Sequence, residues 1–458
     1  MSCSPRTLLV TLALAVAGAH PAAGANASPS IGPHGALPAV NIGPAKVAWR
    51  EFRFNDGHTG FNPLETILDV TNVPSLELDF QAQLGEAVFS SSPAVVGGVV
   101  YIGSSDGTLW AFPADGCEDS VCSVPLWKSA PLGRMIDSPT VANGVVYVGS
   151  QTSADSNDGK LSAFAAAGCG KAVCEPLWQG AAGKDAILES SPTVAGNWVY
   201  IGAFDGLLYA FPAHGCGATL CAPAWVGVTG GTIESTPTVS GGVVYVGSDD
   251  GFLYAFAASG CGRHSCQATW RGTLGTPKLV SSVFDSTPAV LDGVVYIGSA
   301  HALAAFNAAG CGGGGDCKPI WQAVDNTQFF GGSPAIANGR VYIGLESTVA
   351  VYSADGCGAA VCDPLWLLTA AGGGAAVASS PTIANGVVYA GRNTGEVLAW
   401  SAEPCGEFTC DAIWSGFINE QIVSSSPTVI DGKLYIGSAD DGLPEERSGT
   451  LYAFGLPR

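Results

Sequence analysis

Four acidic side chains recur at related positions and could hold a hard cation or a polyhydroxylated ligand. Glu189, Glu234 and Asp285 each stand three residues before a proline, and Asp137 stands two residues before one. Converging carboxylates suit Ca²⁺, which prefers oxygen ligands, and they also suit a ligand with many hydroxyl groups. However, the spacing matches no known calcium loop, and copying of one sequence unit would also produce a solvated acidic rim. Both interpretations stay open at this point.

Other catalytic chemistry has little support among the residues. The six histidines are scattered, and the chain has no HExxH or CxxCH pattern. A hydrolase needs a nucleophile beside a base, and attachment of a c-type haem needs CxxCH. No catalytic residue is therefore assigned.

One sequence unit recurs eight times between Phe89 and Phe454 and must position these side chains. Each copy begins with a Ser/Thr-Pro pair and continues through a Tyr-x-Gly motif. The period varies between 45 and 53 residues, which indicates a propeller or another repeat array. The prolines of the eight pairs are Pro93, Pro139, Pro192, Pro237, Pro288, Pro334, Pro381 and Pro427.

Turn residues divide each copy into strands. Gly-Gly, Asn-Gly, Gly-Asn or Asp-Gly separates two apolar runs, as at Asn143-Gly144, and such pairs are typical of two-residue hairpin turns. The run before the turn is strand A, the run after it is strand B, the run that ends in Ala-Phe is strand C, and the run around Trp is strand D. Because proline is tolerated at a sheet edge, strand A is expected to be the innermost strand.

The two ends of the repeat region predict how the blades close into a ring. Eight Tyr-x-Gly motifs accompany only seven strand D tryptophans, because the last copy stops after strand C. Near the N-terminus, the segment from Leu76 to Gln83 places Phe80 where a strand D tryptophan would stand. We therefore predict an all-β fold in which residues 76–458 form one eight-bladed β-propeller of four-stranded antiparallel blades, closed by this N-terminal strand.

The copies differ in the connection between strands B and C. Most contain Asp-Gly there, which tight turns favour. Copies five, six and seven have instead His301, residues 346–348 and residues 392–394. One side of the ring is therefore expected to be chemically distinct.

Fourteen of the fifteen cysteines form seven close pairs, one in each connection between strands C and D. Cysteines at the base of a hairpin lie within disulfide range, so seven local disulfides are predicted. Thiolate metal sites are the alternative, but zinc takes four ligands and each connection supplies a single pair. The pairs are Cys117/Cys122, Cys169/Cys174, Cys216/Cys221, Cys261/Cys266, Cys311/Cys317, Cys357/Cys362 and Cys405/Cys410.

Composition and the first residues bear on location and partners. Arg6 and an apolar run of about a dozen residues precede small residues, which predicts a secretory signal peptide over residues 1–25 and a flexible lead over 26–45. The run is too short to span a membrane, so we expect a secreted or periplasmic protein. We also expect the protein to be a monomer. The net charge of −20 argues against nucleic acid as a partner.

The run Tyr-x-Gly-Ser-x-Asp-Gly-x-Leu-x-Ala-Phe, followed by a tryptophan strand, resembles the pyrroloquinoline-quinone-like (PQQ-like) β-propeller repeat. The sequence from Trp49 to Thr66 is similar to a lead motif that often precedes such propellers in secreted bacterial proteins. We assign residues 46–75 to this N-terminal segment and expect its aromatic residues to pack across the propeller. The cysteine-bridged loop departs from the family, whose C-to-D turn is usually an Asp-x-x-Thr-Gly type sequence.

The resemblance implies several classes of function, because the family includes quinoprotein dehydrogenases and outer-membrane assembly scaffolds. Dehydrogenases of this fold typically place two adjacent cysteines over PQQ and bind calcium through Glu, Asn and Asp, but this chain has no Cys-Cys dipeptide. We therefore expect no cofactor and a non-catalytic scaffold that binds a protein or small ligand. The binding surface would be the loop face, formed by the D-to-A and B-to-C connections. A PQQ- and calcium-dependent oxidoreductase is the alternative, and an assembly scaffold would bind a partner's strand by edge addition.

Overall fold

The computed structural model describes residues 48–151, 158–183, 187, 189–274, 286–313, 316–325, 327–370, 374–418, 420–439 and 448–457. The predicted signal peptide (1–25), the flexible lead (26–45) and Asp285 lie outside the described residues. Within this part of the chain, no helix is long and apolar enough to cross a membrane. One short 3₁₀ helix, Val73–Ser75, precedes the first blade strand.

Eight sheets follow one another along the chain, and each pairs its strands in the order A, B, C, D. This confirms the eight-bladed β-propeller. Strand A is the first of these four strands in each blade; it follows the motif proline in seven blades and contains it in blade 6. The A strands are Ala94–Val96, Thr140–Ala142, Thr193–Ala195, Thr238–Ser240, Ala289–Leu291, Phe330–Ala337, Thr382–Ala384 and Thr428–Ile430. The B strands are Val99–Gly103, Val145–Gln151, Trp198–Gly202, Val243–Ser248, Val294–Ser299, Arg340–Leu345, Val387–Gly391 and Lys433–Gly437.

The outer strands complete each blade, and eight apolar clusters fill the spaces within and between the blades. The C strands are Leu109–Pro113, Gly159–Ala165, Leu207–Pro212, Phe252–Ala257, Ala302–Asn307, Thr348–Ser353, Glu396–Ser401 and Gly449–Gly455. The D strands are Trp127–Ser129, Trp178–Ala182, Trp225–Val228, Trp270–Thr273, Trp321–Val324, Trp366–Thr369, Trp414–Phe417 and, in blade 8, Glu77–Leu84. Two further strands are Arg134–Ile136, which pairs with strand B of blade 2, and Phe61–Asn62, which pairs with strand A of blade 7.

Blade 8 closes the ring as the sequence predicts. Its strand D, Glu77–Leu84, pairs antiparallel with Gly449–Gly455 from the other end of the chain. Phe80 lies opposite Ala453, and in blade 1 Trp127 lies opposite Ala111 in the same way. Phe80 therefore occupies the position of a strand D tryptophan.

The prediction of four strands in each blade is incomplete. In six blades a short fifth strand, contributed by the cystine loop of the next blade, pairs parallel with strand D. In blade 5 a single bridge between Gln322 and Val361 takes its place. The fifth strands are Val121–Cys122, Val173–Cys174, Leu220–Cys221, Ser265–Cys266, Asp316–Cys317 and Thr409–Asp411.

All seven predicted disulfides are present, but the structural role predicted for them is wrong. The prediction placed each pair at the base of a hairpin of paired strands. Instead, the first cysteine follows the turn after strand C, and the second cysteine is buried against the preceding blade. The buried second cysteines are Cys122, Cys174, Cys221, Cys266, Cys317, Cys362 and Cys410.

The last two pairs illustrate this correction. Cys410 lies on the fifth strand of blade 6, where it is aligned with Leu368 of strand D. The backbone N–H of Cys362 donates to the Gln322 carbonyl of blade 5 at 2.9 Å. Each cystine loop therefore extends the sheet of the preceding blade across the boundary between two blades, which we call the seam. The disulfide fixes the shape of this loop.

Aromatic side chains at the seams also join neighbouring blades. In seven blades the strand B tyrosine donates its hydroxyl hydrogen to a backbone carbonyl of the next blade, as Tyr200 does to Ala258 at 2.8 Å. The strand D tryptophan packs against a glycine turn of the next blade. At Gly168, which has φ of +76°, a Cβ atom would lie only 2.7 Å from Trp127. The turn must therefore be glycine at this contact.

The residues that precede the motif prolines form a closed ring around the central channel. In each blade the backbone N–H of this Ser or Thr donates to the hydroxyl oxygen of its counterpart in the next blade, at 2.8 to 3.2 Å. The last bond, from Ser426 to Ser92, joins blade 8 to blade 1. The Ser/Thr-Pro motif therefore has a structural role, because its hydroxyl satisfies a backbone donor of the neighbouring blade.

The seam hydrogen bonds predict a contrast between two buried tyrosines. Tyr200 and Tyr389 are both fully buried, but the Tyr389 hydroxyl has no hydrogen-bond partner among the described residues. We expect Tyr200→Phe to lower the free energy of unfolding by about 1 kcal/mol, whereas Tyr389→Phe should leave it unchanged or raise it. Urea unfolding followed by tryptophan fluorescence measures both values. Equal losses would contradict a role for the seam hydroxyls.

Candidate functional site: the central channel and the loop face

The N-terminal segment crosses the central channel and contacts strand A of every blade in turn. We call residues 49–62 the plug. Backbone N–H groups of six inner strands donate to its carbonyls, and the other two blades are reached through Glu51 and Asn62 side chains. The successive strand A residues are Val95, Val141, Val194, Val239, Val290, Ile336, Ile383 and Val429. The plug therefore pairs the inner sheet edges, and the expected packing of this segment across the propeller is confirmed.

Arg53 of the plug takes part in a second set of hydrogen bonds between blades. In five blades, a threonine that follows the motif proline donates its hydroxyl hydrogen to the proline carbonyl of the next blade. Blades 1, 5 and 6 have Ala94, Ala289 and Ala335 at this position. For blades 5 and 6, Arg53 donates to the corresponding carbonyls, of Pro334 at 2.8 Å and of Pro381. Burial lowers the pKa of this guanidinium to about 9.

Two further titratable residues of the plug are buried. The Nε2 atom of His58 lies 3.0 Å from the hydroxyl oxygen of Thr193. Burial, and then the charge of Arg53, lower the pKa of His58 to about 3, so its imidazole is neutral at pH 7. Burial, and then the nearby Asp56, raise the pKa of Glu51 well above its usual range. These groups therefore favour a neutral interior, which suits structural packing rather than proton transfer with solvent.

A small cavity remains between the plug and the loop face. Its volume is about 60 Å³, and its lining includes Phe52 of the plug, Glu189, and hydroxyl side chains such as Ser138, Thr287 and Ser380. This volume has room for a few water molecules, since about 10 to 15 Å³ of such space holds one. Pockets for organic ligands usually measure about 300 to 1,000 Å³.

The structure brings two of the four predicted acidic residues into contact, through the backbone of one of them. Asp137 is buried, and its Oδ1 accepts the backbone N–H of Glu189 at 2.8 Å. Glu189 is half-buried, has φ of +69° and lines the cavity, whereas Glu234 is half-buried in the next blade. Asp285 lies outside the described residues. Over the described ranges, no three His, Cys, Asp or Glu residues are grouped to hold a metal ion, so the cation site stays a prediction.

Asp137 has a structural partner that the sequence pattern did not reveal. In several blades the equivalent position is a serine, and its hydroxyl accepts the N–H of a strand B glycine, as between Ser190 and Gly202 at 2.9 Å. In blade 2 the longer Asp137 side chain reaches blade 3 instead. The carboxylate thus stabilises the D-to-A connection of the next blade.

The loop face carries a groove at blades 5 to 7, on the side that the sequence marks as distinct. Its lining includes Phe329, Glu346 and Ser347. Phe329 is 59% exposed, and its ring centroid lies 4.8 Å from that of His301. Arg392 is buried beside the groove, where it donates to the Glu396 carboxylate at 2.9 Å and to the Ser347 carbonyl at 3.2 Å. The changed B-to-C connections signalled this region, but Phe329 itself was missed.

These features define a disulfide-bonded eight-bladed propeller whose channel is occupied by its own N-terminal segment. A family model described as outer membrane protein assembly factor BamB matches residues 172–403, slightly more than half of the chain. The chain therefore belongs to this family of PQQ-like β-propeller proteins, as the repeat motifs predict. A search of the curated proteins finds no match.

Solved structures with the same fold include dehydrogenases, a scaffold protein and a designed protein. Quinohemoprotein alcohol dehydrogenase from Comamonas testosteroni has 13% identity and a TM-score of 0.64, over 91% of this chain and 81% of that one. BamB from Moraxella catarrhalis has 15% identity and a TM-score of 0.55, over 84% and 98%. The computationally designed Ika8 protein has 14% identity and a TM-score of 0.59, over 83% and 100%. At these identities the likeness shows the fold alone.

The residues around the channel do not fit the quinone cofactor that the family name implies. PQQ is a fused-ring tricarboxylate, and the cavity of about 60 Å³ between Phe52 and the loop face is several times too small for it. The Glu189 carboxylate in its lining would also repel an anionic ligand. We derive no reaction step through this cofactor.

Neutral, buried His58 predicts a loss of stability in acid. Between pH 6.5 and about 3 the unfolded chain binds a proton at this histidine and the folded protein does not, so stability falls as the pH falls through this window. We expect His58→Asn to reduce this dependence by several kcal/mol over the window. Urea unfolding at a series of pH values measures it, with the exposed His264→Asn as the control. Identical pH dependences for the wild type and His58→Asn would show that His58 is not the group involved.

Proposed function

We propose that this protein is an exported, non-catalytic scaffold that binds a polypeptide partner on its loop face. The observation that carries this proposal is the filled channel. The plug pairs with the inner strands and, among the described residues, leaves a cavity of about 60 Å³ beside Phe52, well below the roughly 300 to 1,000 Å³ of pockets that hold organic ligands. Recognition is therefore assigned to the surface.

Export is supported by the disulfides. Seven disulfides close the loops between strands C and D, and such bonds persist in oxidising compartments such as the periplasm or the extracellular medium. The predicted signal peptide and the family agree with this location. We therefore infer a secreted or periplasmic protein.

The groove at blades 5 to 7 favours a cationic partner. Phe329 presents an exposed aromatic ring, and the Glu346 carboxylate lies in the same groove and is exposed. An arginine or lysine side chain can contact a ring face through its cation and pair with a carboxylate. The net charge of −20 adds long-range attraction for such a partner.

A peptide-binding experiment tests this assignment. The oxidised protein is titrated into a fluorescein-labelled Arg/Tyr peptide, or into a matched Glu/Tyr peptide, and fluorescence anisotropy is followed at low and high salt. We expect only the cationic peptide to bind, more weakly at high salt. Phe329→Ala and Glu346→Gln should each weaken binding about fivefold, since each removes about 1 kcal/mol. Val124→Ala, a change at a 76% exposed residue in a C-to-D connection, is the control.

Two outcomes would contradict the loop-face assignment. The first is equal binding of the anionic and cationic peptides. The second is binding that Val124→Ala weakens as much as Phe329→Ala does, since these residues lie in connections on opposite faces of the blades.

The oxidoreductase alternative makes a different prediction, which cofactor loading tests. The oxidised protein is incubated with PQQ and CaCl₂ and desalted, and its absorbance and melting temperature are recorded. We expect no retained chromophore and no shift in melting temperature, because the cavity is too small for the cofactor. Calcium-dependent retention that is lost in Glu189→Gln would instead support the dehydrogenase and the predicted cation site.

A further inference from the structure

The outer edges of the blades are covered by a repeated backbone contact. The residue that follows the strand D aromatic donates its N–H to a carbonyl in the cystine loop of the next blade. These hydrogen bonds are 2.7 to 3.0 Å long, and their donors are Gln81, Lys128, Gln179, Val226, Gln322 and Leu367. In blade 4 the same position, Arg271, pairs with Asp316 of the next loop.

Blade 7 differs at this position. No cystine loop or fifth strand covers its strand D, Trp414–Phe417, in the part of the chain that the structure describes. Residues 73–76 lie beside the strand, and the Leu76 carbonyl accepts the indole N–H of Trp414 at 3.0 Å. No described residue forms a backbone pairing with the outer edge of this strand.

Exposure confirms that this edge is open. Ser415 is exposed, whereas the equivalent residue in each of the other seven blades is buried or half-buried. Over the described residues, the Ser415 N–H has no hydrogen-bond acceptor. Ser415 lies opposite Leu398 of strand C just as Gln179 lies opposite Ser162 in blade 2. Because the Gln179 N–H points outward to the next loop, the Ser415 N–H also points outward. Phe417, two residues later, is 70% exposed. An open backbone donor thus lies beside an exposed aromatic side chain.

We propose that the edge from Trp414 to Phe417 is a docking site for an extended segment of a partner polypeptide. The covered edges show what fits: a short extended segment parallel to strand D, with one backbone carbonyl aligned on the outward N–H. The segment completes blade 7 as the cystine loops complete the others, by edge addition. An apolar residue of the segment packs on Phe417. This site is separate from the loop-face groove and does not depend on it.

The parallel direction argues for a different polypeptide rather than a second copy of this chain. Two copies that joined their blade 7 edges about a twofold axis would pair identical strands antiparallel. The repeated contact in this protein is parallel in every blade that has it. A heterologous segment therefore fits the template and a symmetric pair does not.

The probe for this proposal comes from the chain itself. A synthetic disulfide-closed peptide with the sequence of residues 356–363 (GCGAAVCD) reproduces the loop that bridges to blade 5 at Gln322. Added to the oxidised protein at millimolar concentration, it should slow amide hydrogen exchange in residues 414–417, as measured by mass spectrometry or NMR. Ser415→Pro removes the donor and should abolish the effect, whereas Ser415→Ala keeps the N–H and should preserve it.

Two further measurements keep the proposal falsifiable if Ser415→Pro folds poorly. In the unmodified protein, the Ser415 amide should exchange at least tenfold faster than the Gln179 amide, because only the latter is hydrogen-bonded to a fifth strand. Equal protection of the two amides would overturn the proposal. So would undiminished peptide binding by a folded Ser415→Pro variant, or light scattering that shows a dimer dissociated by that substitution. Phe329→Ala should leave peptide protection unchanged, so failure here is distinguishable from failure of the loop-face site.

Discussion

Contact between neighbouring blades is the interaction on which the structure depends. Six of the eight strand D aromatics pack on a glycine turn of the next blade, and most strand B tyrosines donate to a carbonyl across the same seam. Burial raises the pKa of these tyrosines, which keeps them protonated donors. Because each blade is held by the next, the ring is stable only when its last seam is also closed.

The closing seam and the plug both use the N-terminal region, and this has consequences for function. Glu77–Leu84 supplies strand D of blade 8, and residues 49–62 fill the channel on the way. The same arrangement removes the axial space in which an organic ligand would bind. It also leaves blade 7 without a cystine loop from its neighbour, since strand D of blade 8 comes from before the repeats. This is the reason why the proposed recognition is placed on the surface rather than in the channel.

Much of the fold was predictable because the same strand and turn motifs recur in each of the eight repeats. Turn dipeptides, the Ser/Thr-Pro pairs and the tryptophan count led to eight blades and to Phe80 in the closing strand, and both are confirmed. The fifth strands, and with them the seam position of Cys362 and Cys410, were not predicted, because a two-residue parallel pairing between blades has no periodicity of its own. The arrangement of the candidate site was harder to predict from the sequence. Asp137 and Glu189 share a hydrogen bond, but the positive φ of Glu189 and the buried Asp137 depend on neighbouring blades.

By itself, the sequence determined the class of fold, the number of blades and the partners of the cysteines, because these follow from local turn chemistry and short spacings. Only the tertiary structure decided that Arg53 donates in place of a threonine in blades 5 and 6, that Phe329 and Glu346 share a groove, and that no described residue pairs with the blade 7 edge. The physical reason is distance along the chain. Arg53 contacts carbonyls 281 and 328 residues away, and no local pattern specifies which side chain supplies a hydrogen bond across that separation.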